Sequence, residues 1–126
     1  YDFPYESKQH PSTNVPDMED GRKGDYLTDA LTDKAINFIE EQGGRGEQPF
    51  FLNFWYYTVH TPIIADNTKL KKYMQKAKAM GLNERGKDGI RDHKSFSRRE
   101  QSSAAYACMV ESMDQNIGKC FQLQSH

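Results

Sequence analysis

The chain has 126 residues, 36% hydrophobic and 28% charged, with a mean hydropathy of −0.92 and a net charge of −1. A near-neutral balance provides no global field to draw nucleic acid or an anionic membrane, and no run is long or apolar enough to cross a bilayer. The length suits one domain, but the composition is polar for a self-sufficient globule, and most apolar residues sit in three short stretches.

Residues 1–24 are rich in Pro, Ser, Asn, Asp and Gly without periodicity, which predicts extended surface coil. Turn signals fall at Asn14 to Asp17 and at Asp20-Gly21. From Leu27 the pattern changes. Leu27, Leu31, Ala35, Phe38 and Ile39 recur at spacings of three and four, one stripe of an α-helix. Thr28 or Asp29 is placed to cap its start, and Gly43-Gly44 to stop it.

Pro49 to Pro62, PFFLNFWYYTVHTP, is the most apolar and aromatic run. Its composition predicts a strand over Phe50–Tyr56. Phe50, Leu52, Phe54 and Tyr56 would share one face, and Phe51, Asn53, Trp55 and Tyr57 the other. Two largely apolar faces suit a strand covered on both sides, as in a parallel α/β sheet. No second segment resembles it, so its partner strands are expected from elsewhere: the rest of a larger domain, or another subunit. His60 follows the carboxyl end of this strand, the edge where open α/β sheets bind ligands, and Tyr57 is near enough in sequence to line the same pocket.

A second helix is expected from Asn67 to Met80, with Leu70, Tyr73, Met74 and Ala77 on one face and Gly81 at its end. Lys69, Lys71, Lys72, Lys76 and Lys78 take the remaining positions. Such a face is ordinarily a solvated surface; the functional alternative is a basic rim for an anionic substrate, to which Lys69 and Lys72 would contribute. Arg98 and Arg99 carry the same two readings. Basic residues here are not interleaved with stacking aromatics, so nucleic acid is not indicated.

Asn83 to Ser95 is charged and aperiodic and reads as a loop. Ser97 and Glu100 have the spacing of a capping box, ahead of a third helix with Tyr106, Met109, Val110, Met113, Ile117, Cys120 and Phe121 on one face. Asp114 and Gly118, four apart, share a surface. Cys108 and Cys120 on one helix would stand roughly 18 Å apart, too far to bridge. His10, His93 and His126 lack metal-ligand spacing and read as surface residues. Asp17, Glu19, Asp20 and Asp25 lack the alternation of a calcium loop.

Three stretches in order resemble one family: GDYLTDALTDKAINFI (Gly24 to Ile39), PFFLNFWYYTVHTP, and YACMVESMDQNIG (Tyr106 to Gly118). Together they are similar to the middle of the formylglycine-dependent sulfatases, the arylsulfatase-like branch of the alkaline-phosphatase superfamily. The resemblance implies an α/β sandwich with a mainly parallel sheet, residues 25–126 being an internal part of one catalytic domain truncated at both ends. It implies hydrolysis of sulfate esters, carried by small molecules or sulfated glycans, with formylglycine and a divalent cation, usually calcium. The histidine of the family's His-x-Pro element falls on His60, which would contact the sulfate or leaving oxygen, with Pro62 fixing the loop. Asp114 and Gly118 match architectural positions, the glycine for close helix packing and the aspartate as a hydrogen-bond acceptor. A periplasmic or secreted home is the family's expectation.

The departures matter equally. The nucleophile motif, Cys or Ser followed by x-Pro-x-Arg or x-Ala-x-Arg, does not occur in this sequence. Neither do the Asp-Asp metal pair, the later Asp-Asn-Gly or Asp-His-Gly element, or the sulfate-binding lysine beyond it. No metal ligand and no cofactor site is therefore assigned within the stretch. Alone it is expected to be inactive, poorly folded without the remainder of its domain, and prone to aggregate through the exposed edges of the Phe50–Tyr56 strand. The alternatives are a phosphonate or phosphate monoester hydrolase of the same superfamily, and a non-catalytic interaction module with a basic helix.

Overall fold

A computed structural model describes residue 5 and residues 15–45, 49–82 and 89–123. In chain order these form α1 (Leu27–Arg45), α2 (Asn67–Ala79), the strands β1 (Gly89–Asp92) and β2 (Ser95–Arg98), and α3 (Ala104–Gln122). The chain divides into two compact units, Tyr1–Thr58 with Ser112–His126, and Val59–Glu111. α3 thus contributes its first turns to the second unit and the rest to the first. No helix among the described residues is long and apolar enough to cross a membrane.

In the first unit, the apolar core is Tyr5, Met18 and Leu27, with Val15, Ala30 and Leu31 packed against them. Tyr5 and Met18 belong to the stretch expected to be surface coil, yet both are buried. The stretch has no regular structure where it is described, but it turns back on itself. Asp17 takes a positive φ of 57°, and the amide of Gly21 donates to the carbonyl of Met18 at 3.4 Å. Two hydrophobic side chains thereby reach the start of α1.

α1 opens at Leu27. The carbonyl of Tyr26 accepts from the amides of Asp29 (3.0 Å) and Ala30 (3.1 Å) and so begins the helix. Neither Thr28 nor Asp29 caps it: both already lie inside the first turn, where Asp29 complements the helix dipole. The helix also continues through Gly43 and Gly44 to Arg45. Glycine costs about 1 kcal/mol relative to alanine in a helix interior, but it keeps its backbone donor and does not by itself stop the ladder. The buried positions Leu27, Thr28, Thr32 and Ala35 overlap the expected stripe but bring two threonines into it, while Phe38 is partly exposed.

The expected strand at Phe50–Tyr56 is neither helical nor paired in a ladder. Its burial nevertheless alternates. Phe54 and Tyr56 are half-buried, whereas Phe51 and Trp55 are 89% and 77% exposed. The inner side meets α1: the Phe50 ring stands edge-on to Phe38 with centroids 5.5 Å apart, and Tyr56 bonds Thr32. The period of two holds over Phe54–Tyr57, whereas Phe50 and Leu52, on the same side as Phe54 and Tyr56, are 43% and 36% exposed. The described residues provide no strand beside it, which is why a strand-like sequence here has no ladder.

The second unit begins at Val59. α2 matches its prediction closely. Asp66 caps it, accepting from the Thr68 amide at 2.9 Å, and Gly81, with φ of 66°, follows its last turn. Part of the predicted Asn83–Ser95 loop is instead an antiparallel hairpin, with Ile90 opposite Ser97 and Arg91 opposite Phe96; residues 83–88 lie outside the described residues. His93, at φ 50°, forms its two-residue turn with Lys94. The Phe96 ring lies over Gly89, where a β-carbon would come within 2.1 Å of it. Glycine and aromatic thus complement each other across the strands. This hairpin is the sheet seen among the described residues. The described residues mix helix and strand, as expected for an α/β stretch, but the sheet they form is antiparallel, not the mainly parallel one expected.

Ser97 pairs within β2 and so does not cap α3. That cap is Ser103, whose hydroxyl accepts from the Tyr106 amide at 3.3 Å. The buried face of α3 also differs from the expected one. Cys108, Met109, Ser112 and Asn116 are buried, whereas Tyr106, Val110, Ile117 and Phe121 are exposed to differing degrees. A polar pull, described below, turns that face inward.

Candidate functional site

His60 lies in the loop that follows the aromatic run, immediately before the cis Thr61–Pro62 peptide. Its side chain is exposed, and its Nδ1 lies 2.7 Å from the Thr61 carbonyl oxygen. A carbonyl can only accept, so Nδ1 carries the hydrogen. The ring is thereby held in one tautomer, with Nε2 left as the exchangeable nitrogen. Thr61 Oγ1 stands 3.4 Å from the same Nδ1. The chemistry available is that of an imidazole fixed at one nitrogen and able to give or take a proton at the other.

Lys69 and Lys72 are both committed to carboxylates. Lys69 pairs with Asp66 one turn earlier, and Lys72 with Glu111 at 2.6 Å. Burial pushes the Asp66 carboxyl up, but its bonds from Lys69 and Thr68 outweigh that and hold it below the ordinary value. The Lys72 bond likewise holds Glu111 below its ordinary value, and Glu111 in turn raises Lys72. Tyr73 is raised by burial and then by Glu111. Cys108 is a free thiol, raised by burial and by the nearby Asp66 and Glu111 carboxylates. A raised thiol is a poor nucleophile. No bond or ion pair joins His60 to Lys69 or Lys72 among the described residues.

Tyr57, Asp114 and Gly118 lie in the first unit. Tyr57 is half-exposed at the end of the aromatic run. Asp114 is exposed, and no hydrogen bond to its carboxylate occurs among the described residues. A β-carbon on Gly118 would meet nothing within 4 Å, so the described residues do not pack closely against it. The residue that ties this helix down is Asn116. Its Nδ2 donates to Asp29 Oδ1 at 2.5 Å and to the Ser112 carbonyl at 2.8 Å, and its Oδ1 accepts from Lys119 at 3.0 Å. Asp29 also faces Lys119 at 3.9 Å. The neighbouring contacts are of the same kind: Thr28 to Thr58 at 2.6 Å, and Tyr56 to Thr32 at 2.8 Å. Periodicity of apolar residues does not find these positions. The signal that could have is that Asp29 and Asn116 both fall within the stretches that carry the family resemblance.

His93 is exposed in the hairpin turn, and His10 and His126 lie outside the described residues. Among the described residues no three His, Cys, Asp or Glu side chains converge as a metal site would require. The described residues therefore do not fit a divalent cation.

The family model for sulfatases matches residues 1–124. The chain belongs to the sulfatase family. No curated protein matches it. Membership makes this a stretch of a sulfatase-type hydrolase and gives the His60 loop its chemical context.

Proposed function

We propose that His60 serves as the general acid toward the leaving oxygen in hydrolysis of a sulfate ester by the sulfatase domain to which this stretch belongs. The observation that carries this reading is the Nδ1 hydrogen bond to the Thr61 carbonyl. As the ester S–O bond breaks, its electron pair goes to the departing oxygen, which becomes an alkoxide or phenoxide. An imidazolium with Nδ1–H engaged can deliver its other proton, from Nε2, to that oxygen. The ring then remains as the neutral Nδ1–H tautomer, still bonded to the same carbonyl. The carbonyl thus supports both protonation states without rotation of the ring.

The nucleophile, formylglycine by resemblance, and the divalent cation belong to parts of the domain that these residues do not build. The stretch alone should not turn over substrate. The mainly parallel sheet belongs to the same proposal: the aromatic run, touching α1 through Phe50 and Tyr56, has the composition of a strand that would enter such a sheet. Lys69 and Lys72, bound to carboxylates, support substrate attraction less than His60 supports proton transfer.

The test is His60→Ala in the sulfatase carrying this stretch, assayed with a phenyl ester bearing a good leaving group and with an alkyl sulfate. A lost general acid should lower kcat for the alkyl ester by about 10²–10⁴-fold and spare the activated ester by comparison. Equal losses on both esters would assign His60 to binding and defeat the proposal.

A further inference from the structure

The register of the β1–β2 hairpin leaves one edge of β2 open. The two-residue turn closes on the Asp92–Ser95 pair, and hydrogen-bonded pairs alternate from there. Asp92–Ser95 and Ile90–Ser97 exchange backbone bonds, whereas Arg91–Phe96 and Gly89–Arg98 do not. The N–H and C=O groups of Phe96 and Arg98 therefore point away from β1, along the outer edge of β2. Among the described residues no backbone hydrogen bond reaches them. All four residues of β2 are exposed.

The same two residues decide what this edge presents. Directly paired residues point to one face of a hairpin, so Arg91, Phe96 and Arg98 share a face with Gly89. The Phe96 ring leans across onto Gly89, away from the outer edge, and is still 60% exposed. Arg98 gives one guanidinium donor to Ser102 Oγ at 3.1 Å and keeps the rest of its fork. Lys94 stands in the turn before β2, and Arg99 just beyond its end. Residues 89–99 hold four cations, Arg91, Lys94, Arg98 and Arg99, against the single carboxylate of Asp92. Charged edges ordinarily keep strands apart. Here the charge is of one sign, so it repels a second copy of this basic strand and favours an acidic one.

We propose that β2 takes up an acidic protein segment as a third, antiparallel strand, with the pattern carboxylate-x-apolar-x-carboxylate. Such a strand exchanges backbone bonds with Phe96 and Arg98 and sets its alternate residues beside their side chains. The apolar residue lies beside Phe96. The carboxylates, two positions to either side of it, lie beside Arg98 and toward Lys94. The x positions fall beside Ser95 and Ser97 on the other face. This edge is independent of the proton transfer assigned to His60.

The probe is the blocked peptide acetyl-TETVTET-amide, titrated against the sulfatase carrying this stretch. Its controls are the lysine peptide TKTVTKT, the acidic peptide N-methylated at its valine and both glutamates, and a short oligothymidylate. The acidic peptide should bind about tenfold more tightly than the lysine and N-methylated peptides, which lack the charge or the strand donors. Once bound, it should slow amide exchange at Phe96 and Arg98 and leave Ser95 and Ser97, already within the ladder, unchanged. Arg98→Gln should weaken binding about threefold, the effect of one partly solvated charge pair, whereas Ser97→Ala on the other face should not. Exchange at residues 95 and 97 in each variant checks that the hairpin persists. Equal binding of either control peptide, no new protection at Phe96 and Arg98, or oligothymidylate binding as tightly as the acidic peptide would overturn the proposal. So would protection of those two amides that grows with protein concentration before peptide is added, because a second copy would then be the occupant.

Discussion

The two units solve the same packing problem with different chemistry. In the first, buried polar groups are mostly uncharged: Thr28, Thr32, Ser112 and Asn116 are all nearly inaccessible and find hydroxyl, amide or carbonyl partners. Asp29 is the charge in that set, and it lies at the edge beside Lys119. In the second, the polar contacts are ion pairs organised around Asp66 and Glu111, with a free buried thiol beside them. Neutral hydrogen bonds tolerate changes of pH and salt. Charge pairs do not, because protonation or screening removes them. The difference teaches that a polar chain can form two kinds of interior, and that they should fail under different conditions.

The comparison breaks most readily at Asn116. Asn116→Ala removes the donor to the Asp29 carboxylate and to the Ser112 carbonyl, and hydrogen bonds to charged groups stabilise by about 1.5–3 kcal/mol. We expect a loss of about 2 kcal/mol confined to the first unit. Amide exchange should accelerate in α1 and in the carboxyl-terminal half of α3 while α2 keeps its protection. Equal acceleration in α2 would show that the two interiors are not separable.

Acid sharpens the same contrast with a smaller effect. Asp66 and Glu111 are held below their ordinary values of 3.8 and 4.5 in the folded chain. A depressed carboxyl contributes stability above its unfolded pKa and loses it as pH falls through the folded one. Lys72 is raised above 10.5, so its contribution is present below that value and is lost as pH rises through the folded one. The second unit should therefore weaken first on acidification below about 4.5, and Asp66→Ala, which also removes the cap of α2, should cost about 1 kcal/mol at neutral pH. Exchange rates in α2 measured along a pH series check this. If α1 and α2 lose protection together as the carboxylates titrate, the charge-based account of the second unit fails.

How much of this could be seen in the sequence depends on which residues do the burying. α1 and α2 were legible because their apolar residues recur at the helical period, and α2 also because Gly81 marks its end. His60 was singled out by the order of an aromatic strand-like run, a histidine and a proline, and the structure places it in the exposed loop after that run. The inward face of α3 was only partly legible, because beside Cys108 and Met109 its buried positions include Ser112 and Asn116, which apolar periodicity does not mark. Tyr5 and Met18 were missed as isolated hydrophobics in a polar stretch, where only the turn of the backbone brings them to Leu27. The hairpin was missed because Gly89–Arg98 is charged and its strands are only four residues each; the one strong contact, Phe96 over Gly89, pairs an aromatic with a residue that has no side chain.

The smallest effect lies at Thr32, and it tests whether the interior of the first unit is as neutral as it looks. Its hydroxyl donates to the Thr28 carbonyl at 2.8 Å, leaving its oxygen to accept from the Tyr56 phenol at 2.8 Å. Burial raises Tyr56 above its ordinary value of 10.0, and the Thr32 hydroxyl lowers it, while Cys120 and Asp29 raise it further. The lowering has a simple cause: once the phenol ionises, the Thr32 hydroxyl can turn from the Thr28 carbonyl and donate to the phenolate, and a bond to a charged oxygen is the stronger one. Thr32→Val keeps the shape and removes that donor. It should cost up to about 1 kcal/mol, and the Tyr56 titration, followed by phenolate absorbance, should move to still higher pH. Because a raised phenol contributes stability below 10.0 and loses it as pH rises through the folded value, Tyr56 makes the first unit vulnerable at the alkaline end. In a double-mutant cycle with Tyr56→Phe, most of the stability change should be shared between the two substitutions. Additive losses, or an unchanged phenolate titration, would mean that Thr32 and Tyr56 are neighbours without being partners.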